Sequence, residues 1–154
     1  MQDTTLCLFI NDGKILLGMK KRRFGVGKWN HCGGKVQDGE TILQAAVREI
    51  EEEVSVLVNE SDAEKMGHID FYFKDKPEWN QKMHIFMIKN WNGEPKESEE
   101  LNPMWFNLNE IPYDNMWADD KHWLPMVLAG KKVEGRFNFI NEGAQIDGFD
   151  IREI

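Results

Sequence analysis

Apolar residues fall into short, separated runs along this chain. Thr4 to Ile10 is apolar and β-branched, Asn11-Asp12-Gly13 has hairpin-turn character, and Ile15 to Leu17 resumes the apolar run, which predicts two antiparallel strands. The pattern turns helical at Thr41, where Thr41 and Gln44 stand at capping-box spacing, and the helix should run to about Val54. Leu43, Val47, Ile50 and Val54 form its apolar stripe. Further strands are predicted at Val56–Val58, Gly67–Phe73, Lys82–Trp91 and Met104–Asn107. Asp119 or Asp120 then caps a second helix with Leu124, Val127 and Leu128 at its apolar spacing, Gly130 stops it, and two closing strands flank Asn141-Glu142-Gly143. Strands before, between and after two helices predict an α/β protein, a mixed sheet sandwiched by helices. The 154 residues fit one domain, 1–154, with little room for a second core.

The first helix carries a second row. Ile42, Ala45 and Ala46 are followed on the same face by Glu49, Glu52 and Glu53, so three carboxylates converge near the helix C-terminus. They repel one another and oppose the helix dipole, at about 0.3–1 kcal/mol per exposed charge. A hard divalent cation such as Mg²⁺ would offset this, because it takes oxygen ligands and is commonly shared between carboxylates and substrate phosphates. The run alone reads first as a solvated helix end.

Composition narrows the partners. With 41% hydrophobic and 30% charged residues the chain builds a real core, which excludes wholly disordered and collagen-like classes. Asp plus Glu outnumber Lys plus Arg by 27 to 19, and the net charge of −8 disfavours binding to polyanionic nucleic acid. Charge is segregated, however. Lys20, Lys21, Arg22, Arg23, Lys28 and Lys35 stand between Lys20 and Gln37 without an acid; removing this +6 from −8 leaves −14 on the rest, so this loop is where phosphates would be met, unless its lysines merely solvate a turn. Cys7 and Cys32 are too few for a disulfide framework, which suggests free thiols in a reducing, cytoplasmic setting. The first apolar run, Leu6 to Ile10, is far shorter than a signal core or a membrane span, so we expect neither export nor a membrane partner.

Reading outward from the glutamates, Gly34, five residues, Glu40, seven residues and then Arg48-Glu49-Ile50-Glu51-Glu52-Glu53-Val54-Ser55-Val56 resemble the Nudix box over a 23-residue window. The one departure is Ser55, where the family usually has glycine. The resemblance implies the Nudix fold, an α/β/α sandwich with a mixed β-sheet, and a Mg²⁺-dependent diphosphatase, with Mn²⁺ as a substitute. It makes Glu49, Glu52 and Glu53 catalytic metal ligands, lets the main chain near Gly33 add an oxygen, and gives Arg48 and Glu40 orienting roles. Glu100 matches a further acidic position that can join the metal site, although within Glu97-Ser98-Glu99-Glu100 it reads by itself as a solvated loop residue.

Beyond the box, Lys20-Lys21-Arg22, Phe24-Gly25, Trp29-Asn30 and Gly33-Gly34-Lys35-Val36 resemble the animal branch of MutT homologues, hydrolases of oxidised purine nucleoside triphosphates. The likeness continues through Trp105-Phe106, Ile111-Pro112, Met116-Trp117, Asp119-Asp120, Trp123 and Ile151-Arg152-Glu153. It assigns Trp117, Asn30, Asp119 and Asp120 to a nucleobase site, with Phe71 and Phe73 as walls. Thr5 and Lys20 fall near the sugar or phosphates, and Phe24, Cys32, Gly33, Gly34 and Lys35 complete the substrate-binding set. A purine needs a flat apolar surface and a few placed polar groups, and a pocket aspartate protonated beside its neighbour can both donate and accept. Taken singly, Asp119 or Asp120 reads first as a helix cap and the aromatics as core, and Asn30 can be a turn former alone. His31 and Cys32 replace a glycine and an aromatic of close relatives, so one wall of the pocket should be smaller and more polarizable.

The resulting expectation is a monomeric enzyme that cleaves 8-oxo-dGTP, 2-hydroxy-dATP and related modified purines such as O6-methyl-dGTP to the monophosphate and pyrophosphate, sanitising the nucleotide pool. The alternatives are a Nudix hydrolase of other nucleoside diphosphate derivatives and a nucleotide-binding sensor without turnover.

Overall fold

The computed structural model describes residues 1–154. Its elements in chain order are β1 (Gln2–Asn11), β2 (Lys14–Lys20), β3 (Trp29–Asn30), α1 (Ile42–Val54), β4 (Ala63–Phe73), β5 (Gln81–Ile88), β6 (Leu101–Asn107), α2 (Asp120–Leu128), β7 (Val133–Ile140) and β8 (Gln145–Glu153). The strands form a mixed sheet in the order β3-β2-β1-β5-β4-β7-β8, with β6 also paired to β2. β1 runs parallel to β5 and β4 parallel to β7, while the other pairs are antiparallel.

One irregularity positions the site. β1 pairs with β5 from Gln2 to Phe9, yet it pairs with β2 only at the hairpin tip, through Ile10–Ile15 and Asn11–Lys14. Below the tip β2 splays away to pair with β3 and β6, and the exposed edge of β1 receives the loop after β3. There the Thr5 N–H donates to the Gly34 carbonyl at 2.9 Å, the Cys7 N–H to the Cys32 carbonyl at 2.8 Å, and the Val36 N–H to the Asp3 carbonyl at 3.0 Å. Otherwise unpaired strand groups are thereby satisfied by the segment that carries the two glycines.

Both sheet faces are buried, as period-two alternation requires of a three-layer protein. On one face Met83 and Ile85 of β5 join Ile69, Phe71, Phe137, Trp123, Leu124 and Val127 beneath α2. On the other, Phe86 and Ile88 join Cys7, Phe9, Ala46, Ile50 and Val54 beneath α1. Each large side chain buried in this way contributes about 1.5–3 kcal/mol.

Thr41 forms the capping box as expected: its Oγ1 accepts the Gln44 N–H at 3.1 Å, and Gln44 Oε1 accepts the Thr41 N–H at 2.9 Å. Ser55 ends the helix in the left-handed conformation, φ 60° and ψ 32°, donating its N–H to the Glu51 carbonyl. It therefore occupies the backbone conformation a glycine would take and bears the associated strain. The stripe through Leu43 and Val47 needs correction. Both are only half-buried, whereas Ala45, Ala46, Ile50, Glu53 and Val54 are buried, so the helix is rolled toward its glutamate row.

Three other expectations fail for identifiable reasons. Val56–Val58 is not a strand: Val56 and Val58 are buried and Leu57 is exposed, but the only pairing is a bridge from Leu57 to Asn92. The predicted strand to Trp91 stops at Ile88, where pairing with β4 ends. Neither aspartate caps α2 through its side chain. Asp119 stands at the cap position in helical conformation without a capping bond, because its carboxylate accepts from Trp123 instead, and Asp120 is the first helical residue.

Candidate active site

Glu53 is the best-defined member of the glutamate row. It is only 3% exposed, its Oε1 accepts the Gly33 N–H at 2.7 Å, and its Oε2 lies 4.0 Å from Lys20 Nζ. Burial, the largest cause, pushes its pKa up to about 8 against the lowering effects of Gly33 and Lys20. Glu49, half-buried, is raised by desolvation in the same way. Arg48 ties the row together: it donates to Glu40 at 2.6 and 2.9 Å, to Glu49 Oε1 at 3.0 Å, to Glu52 Oε2 at 3.2 Å and to the Lys35 carbonyl at 3.0 Å. The Arg48 hydrogen bonds hold the Glu40 carboxyl down to about 2.

The glycines make the approach possible. Gly33 has φ 146°, and a Cβ there would overlap the Thr5 carbonyl oxygen. A Cβ at Gly34 would sit 2.5 Å from the Glu49 carboxylate. Thr5, assigned from sequence to the sugar or phosphates, is buried with its hydroxyl engaged by Gly34 at 3.3–3.4 Å, which places it as a support of this loop.

Glu100 is less solvated than its sequence surroundings suggest. Its Oε2 is 3.7 Å from Lys20 Nζ, so Lys20 bridges Glu100 and Glu53. Its Oε1 accepts from Arg22 at 2.6 and 2.8 Å and lies 3.4 Å from Arg23, and the Arg22 hydrogen bond lowers its pKa.

The donor set suits a hard cation. All its side-chain oxygens are carboxylate, and Glu53 is a buried acid with one hydrogen bond and a distant ammonium, too little to offset its desolvation. No three acidic, histidine or cysteine side chains converge closely enough here to hold a metal ion, because Arg48 draws Glu49 and Glu52 and Arg22 draws Glu100. A cation bound here would exchange these ion pairs for contacts with itself.

An open cleft of about 430 Å³ is lined by Arg23, Phe24, Gly25, Val26, Lys28, Trp79, Trp117 and Glu142. Phe24 stacks on Trp117, and Phe73 meets Phe24, Trp79 and Trp117 edge-on. Lys28 Nζ lies 5.7 Å from the Trp117 ring centroid. Phe71 is not on the lining; it stacks on Phe137 and Phe139 in the core. Asn30 donates to the Lys28 carbonyl at 2.8 Å, and a Cβ at Gly25 would lie 3.2 Å from both Asn30 Oδ1 and Trp117 Nε1. Cys32 does not form a cleft wall. It is buried beneath α1 with Cys7, and both thiols are free and pushed upward in pKa by burial.

Asp119 and Asp120 are both buried. Asp119 Oδ2 accepts the Trp123 indole N–H at 2.8 Å, and burial together with the neighbouring Asp120 charge pushes its pKa well above the ordinary carboxylate range. Asp120 Oδ1 lies 2.7 Å from His31 Nε2. That contact spans 89 residues and has no signal in local sequence. Val26, Trp79 and Glu142 also belong to no motif; Trp79 stands in the segment between β4 and β5, which Asn80 Oδ1 closes by accepting the Phe73 N–H at 2.7 Å.

The NUDIX domain family profile matches residues 1–127. The chain is 50% identical over 135 residues to the oxidized purine nucleoside triphosphate hydrolase of Danio rerio, covering 88% of this chain and 85% of that protein. It is 45% identical over 150 residues to the protein of the same name from Mus musculus, covering 97% and 94%. A mutator MutT protein from Bacillus halodurans has the same fold with a TM-score of 0.83 at 26% identity, covering 98% of this chain and 97% of that one.

Proposed function

The chain belongs to the Nudix family, and from that premise we propose that it hydrolyses oxidised or otherwise modified purine nucleoside triphosphates to the monophosphate and pyrophosphate, cleansing the nucleotide pool. The candidate substrates are 8-oxo-dGTP, 2-hydroxy-dATP and O6-methyl-dGTP. The observation that carries the reading is the buried Glu53 carboxylate, held by Gly33 on a helix face shared with Glu49 and Glu52. The divalent cation of this family is Mg²⁺ here, with Mn²⁺ as a substitute; when bound it neutralises phosphate oxygens and lowers the pKa of water.

The chain's own residues divide the remaining work. Glu49, Glu52, Glu53, Glu100 and the Gly33 main chain would hold the cation. Lys20, between Glu53 and Glu100, brings an ammonium to the phosphate side, and Lys35 with Arg22 and Arg23 adds positive charge. Glu53, screened from bulk water, is suited in its ionised form to take a proton from the attacking water. Arg48 keeps Glu49 and Glu52 in register. Trp117 and Phe24 offer aromatic surface to the purine, while Asn30, Asp119 and Asp120 offer donors and acceptors for its edge. The reading is of a monomeric cytosolic enzyme acting on free nucleotides; the net charge of −8 supports the last point, and no helix is long and apolar enough to cross a membrane.

Pyrophosphate release measured with 8-oxo-dGTP, 2-hydroxy-dATP, O6-methyl-dGTP and the unmodified nucleotides, each with Mg²⁺, tests this. Preference for the modified purines is expected. Equal turnover of 8-oxo-dGTP and dGTP, or none of either, would overturn the substrate assignment.

A further inference from the structure

Asn141, Glu142 and Gly143, in the turn between β7 and β8, are three successive residues with positive φ, at 53°, 54° and 89°. Asparagine and glycine adopt this conformation readily, so the strain falls on Glu142. Gly143 has no alternative, since a Cβ there would overlap the Trp117 ring. The turn is tied to the segment between β4 and β5 by the Asn141 N–H, which donates to Asp75 Oδ2 at 2.8 Å, and by Lys76 Nζ, 3.6 Å from Glu142 Oε1. Strain maintained by such surroundings sets a side chain where a relaxed turn would not.

The place Glu142 reaches is the aromatic cleft. It is the only acid on the lining, together with the indoles of Trp79 and Trp117, while Arg23 and Lys28 are the cations. The cleft is therefore polarised. Arg23 comes from the basic loop, and its guanidinium lies 3.4 Å from Glu100 Oε1, so that wall adjoins the carboxylates that would hold the cation. Glu142 comes from the other end of the strand order, across β1, β5 and β4. A nucleotide in this cleft turns its phosphates toward Arg23 and away from the Glu142 charge. Its base then meets Glu142.

A carboxylate accepts hydrogen bonds without donating, and its two oxygens match two adjacent N–H groups. The contact with Lys76 is too long for a hydrogen bond, so both Glu142 oxygens keep their capacity to accept. Guanine and 8-oxoguanine present such a pair, the N1 hydrogen and the 2-amino group. In O6-methylguanine the amino group stands beside an N1 lone pair instead, which a carboxylate repels. We propose that Glu142 is a specificity-determining residue that reads the N1–H and 2-amino donors of guanine-type bases and disfavours purines whose N1 carries a lone pair. This rests on the reading of the cleft as the base site. It ranks 8-oxo-dGTP above O6-methyl-dGTP among the candidate substrates.

The test exchanges one carboxylate oxygen for an amide nitrogen. Glu142→Gln keeps the shape of the side chain but presents an acceptor beside a donor, which matches the 2-amino group and N1 lone pair of O6-methylguanine. The ratio of kcat/KM for 8-oxo-dGTP to that for O6-methyl-dGTP should fall by about tenfold in Glu142→Gln. The change should lie in KM, with kcat within about threefold. Quenching of tryptophan fluorescence by 8-oxo-dGMP and O6-methyl-dGMP, without added metal, should show the same shift in relative affinity. A ratio unchanged in Glu142→Gln, or an equal loss for both purines, overturns the proposal. If the wild type neither binds nor turns over either purine, the base-site reading falls and the role of Glu142 with it. A wild type that binds both, beside a variant with the same ratio, overturns the role of Glu142 alone.

Discussion

Phe24 lies flat on Trp117, with ring centroids 4.8 Å apart and planes inclined by 18°. Phe24 is 41% exposed and sits in the basic loop, so the stack joins a solvent-facing ring to a half-buried indole anchored edge-on by Phe73 and Phe139. The indole face thus accepts a planar partner. Aromatic stacking of a base contributes about 1–3 kcal/mol, so Trp117→Ala should raise KM for 8-oxo-dGTP by about 10- to 100-fold with kcat little changed. Phe24→Ala, at the exposed side of the stack, should raise it only a few-fold. Steady-state kinetics on the two variants checks this, and an unchanged KM in Trp117→Ala would remove the indole from the base site.

Glu53→Gln keeps an oxygen acceptor for the Gly33 N–H while removing the charge. Pyrophosphate release should fall by at least about 10²-fold, with nucleotide binding, followed by tryptophan fluorescence, largely preserved. Above about pH 8, where the Glu53 carboxyl ionises, the same change removes a desolvated charge, so the melting temperature of the variant without added metal should there equal or exceed that of the wild type. Unimpaired turnover would exclude Glu53 from catalysis.

Asp119 links stability to pH. Its pKa is raised in the folded protein by burial and by Asp120, so folding favours its protonated form. That contribution is complete below the unfolded aspartate value of about 3.9 and is lost as pH rises through the higher folded value. Asp119→Asn is neutral throughout. Urea titrations of both proteins should show the wild type losing stability relative to Asp119→Asn as pH rises from about 4. A constant difference between them would contradict the shift.

Ser55→Gly relieves the left-handed strain at the end of α1. The strain amounts to about 1–2 kcal/mol, and the extra unfolded-state freedom of glycine takes back about 0.5–1, leaving a net gain of about 0.5–1 kcal/mol. That corresponds to a melting temperature higher by about 1–4 °C, with activity unchanged. Calorimetry decides, and a lower melting temperature would mean that the serine side chain stabilises the cap in its own right.

Local signals were legible in this sequence. The Thr41–Gln44 box, the Asn11–Gly13 turn and the glutamate spacing all act within a few residues, where backbone geometry leaves little choice. Features built by distant partners were not. Val56–Val58 has the alternation of a strand but finds no partner beyond Asn92, and Leu43 and Val47 give way to Ala46 and Glu53 because α1 rolls toward the diglycine loop. The carboxylate of Asp119 forgoes capping because Trp123 offers a buried donor. Likewise, His31 reads as a mere departure from its relatives until the fold brings Asp120 beside it.

The separation of β2 from β1 has a kinetic consequence. The N–H groups of Thr5 and Cys7, which a regular sheet would give to a neighbouring strand, are held by the carbonyls of Gly34 and Cys32. Detaching the diglycine loop would therefore uncover the middle of β1, with Cys7, and the loop's own Cys32 to solvent. Hydrogen exchange at those two amides and alkylation of Cys7 and Cys32 become clocks for one opening event, and their rates measure how often the glutamate helix loses its facing loop.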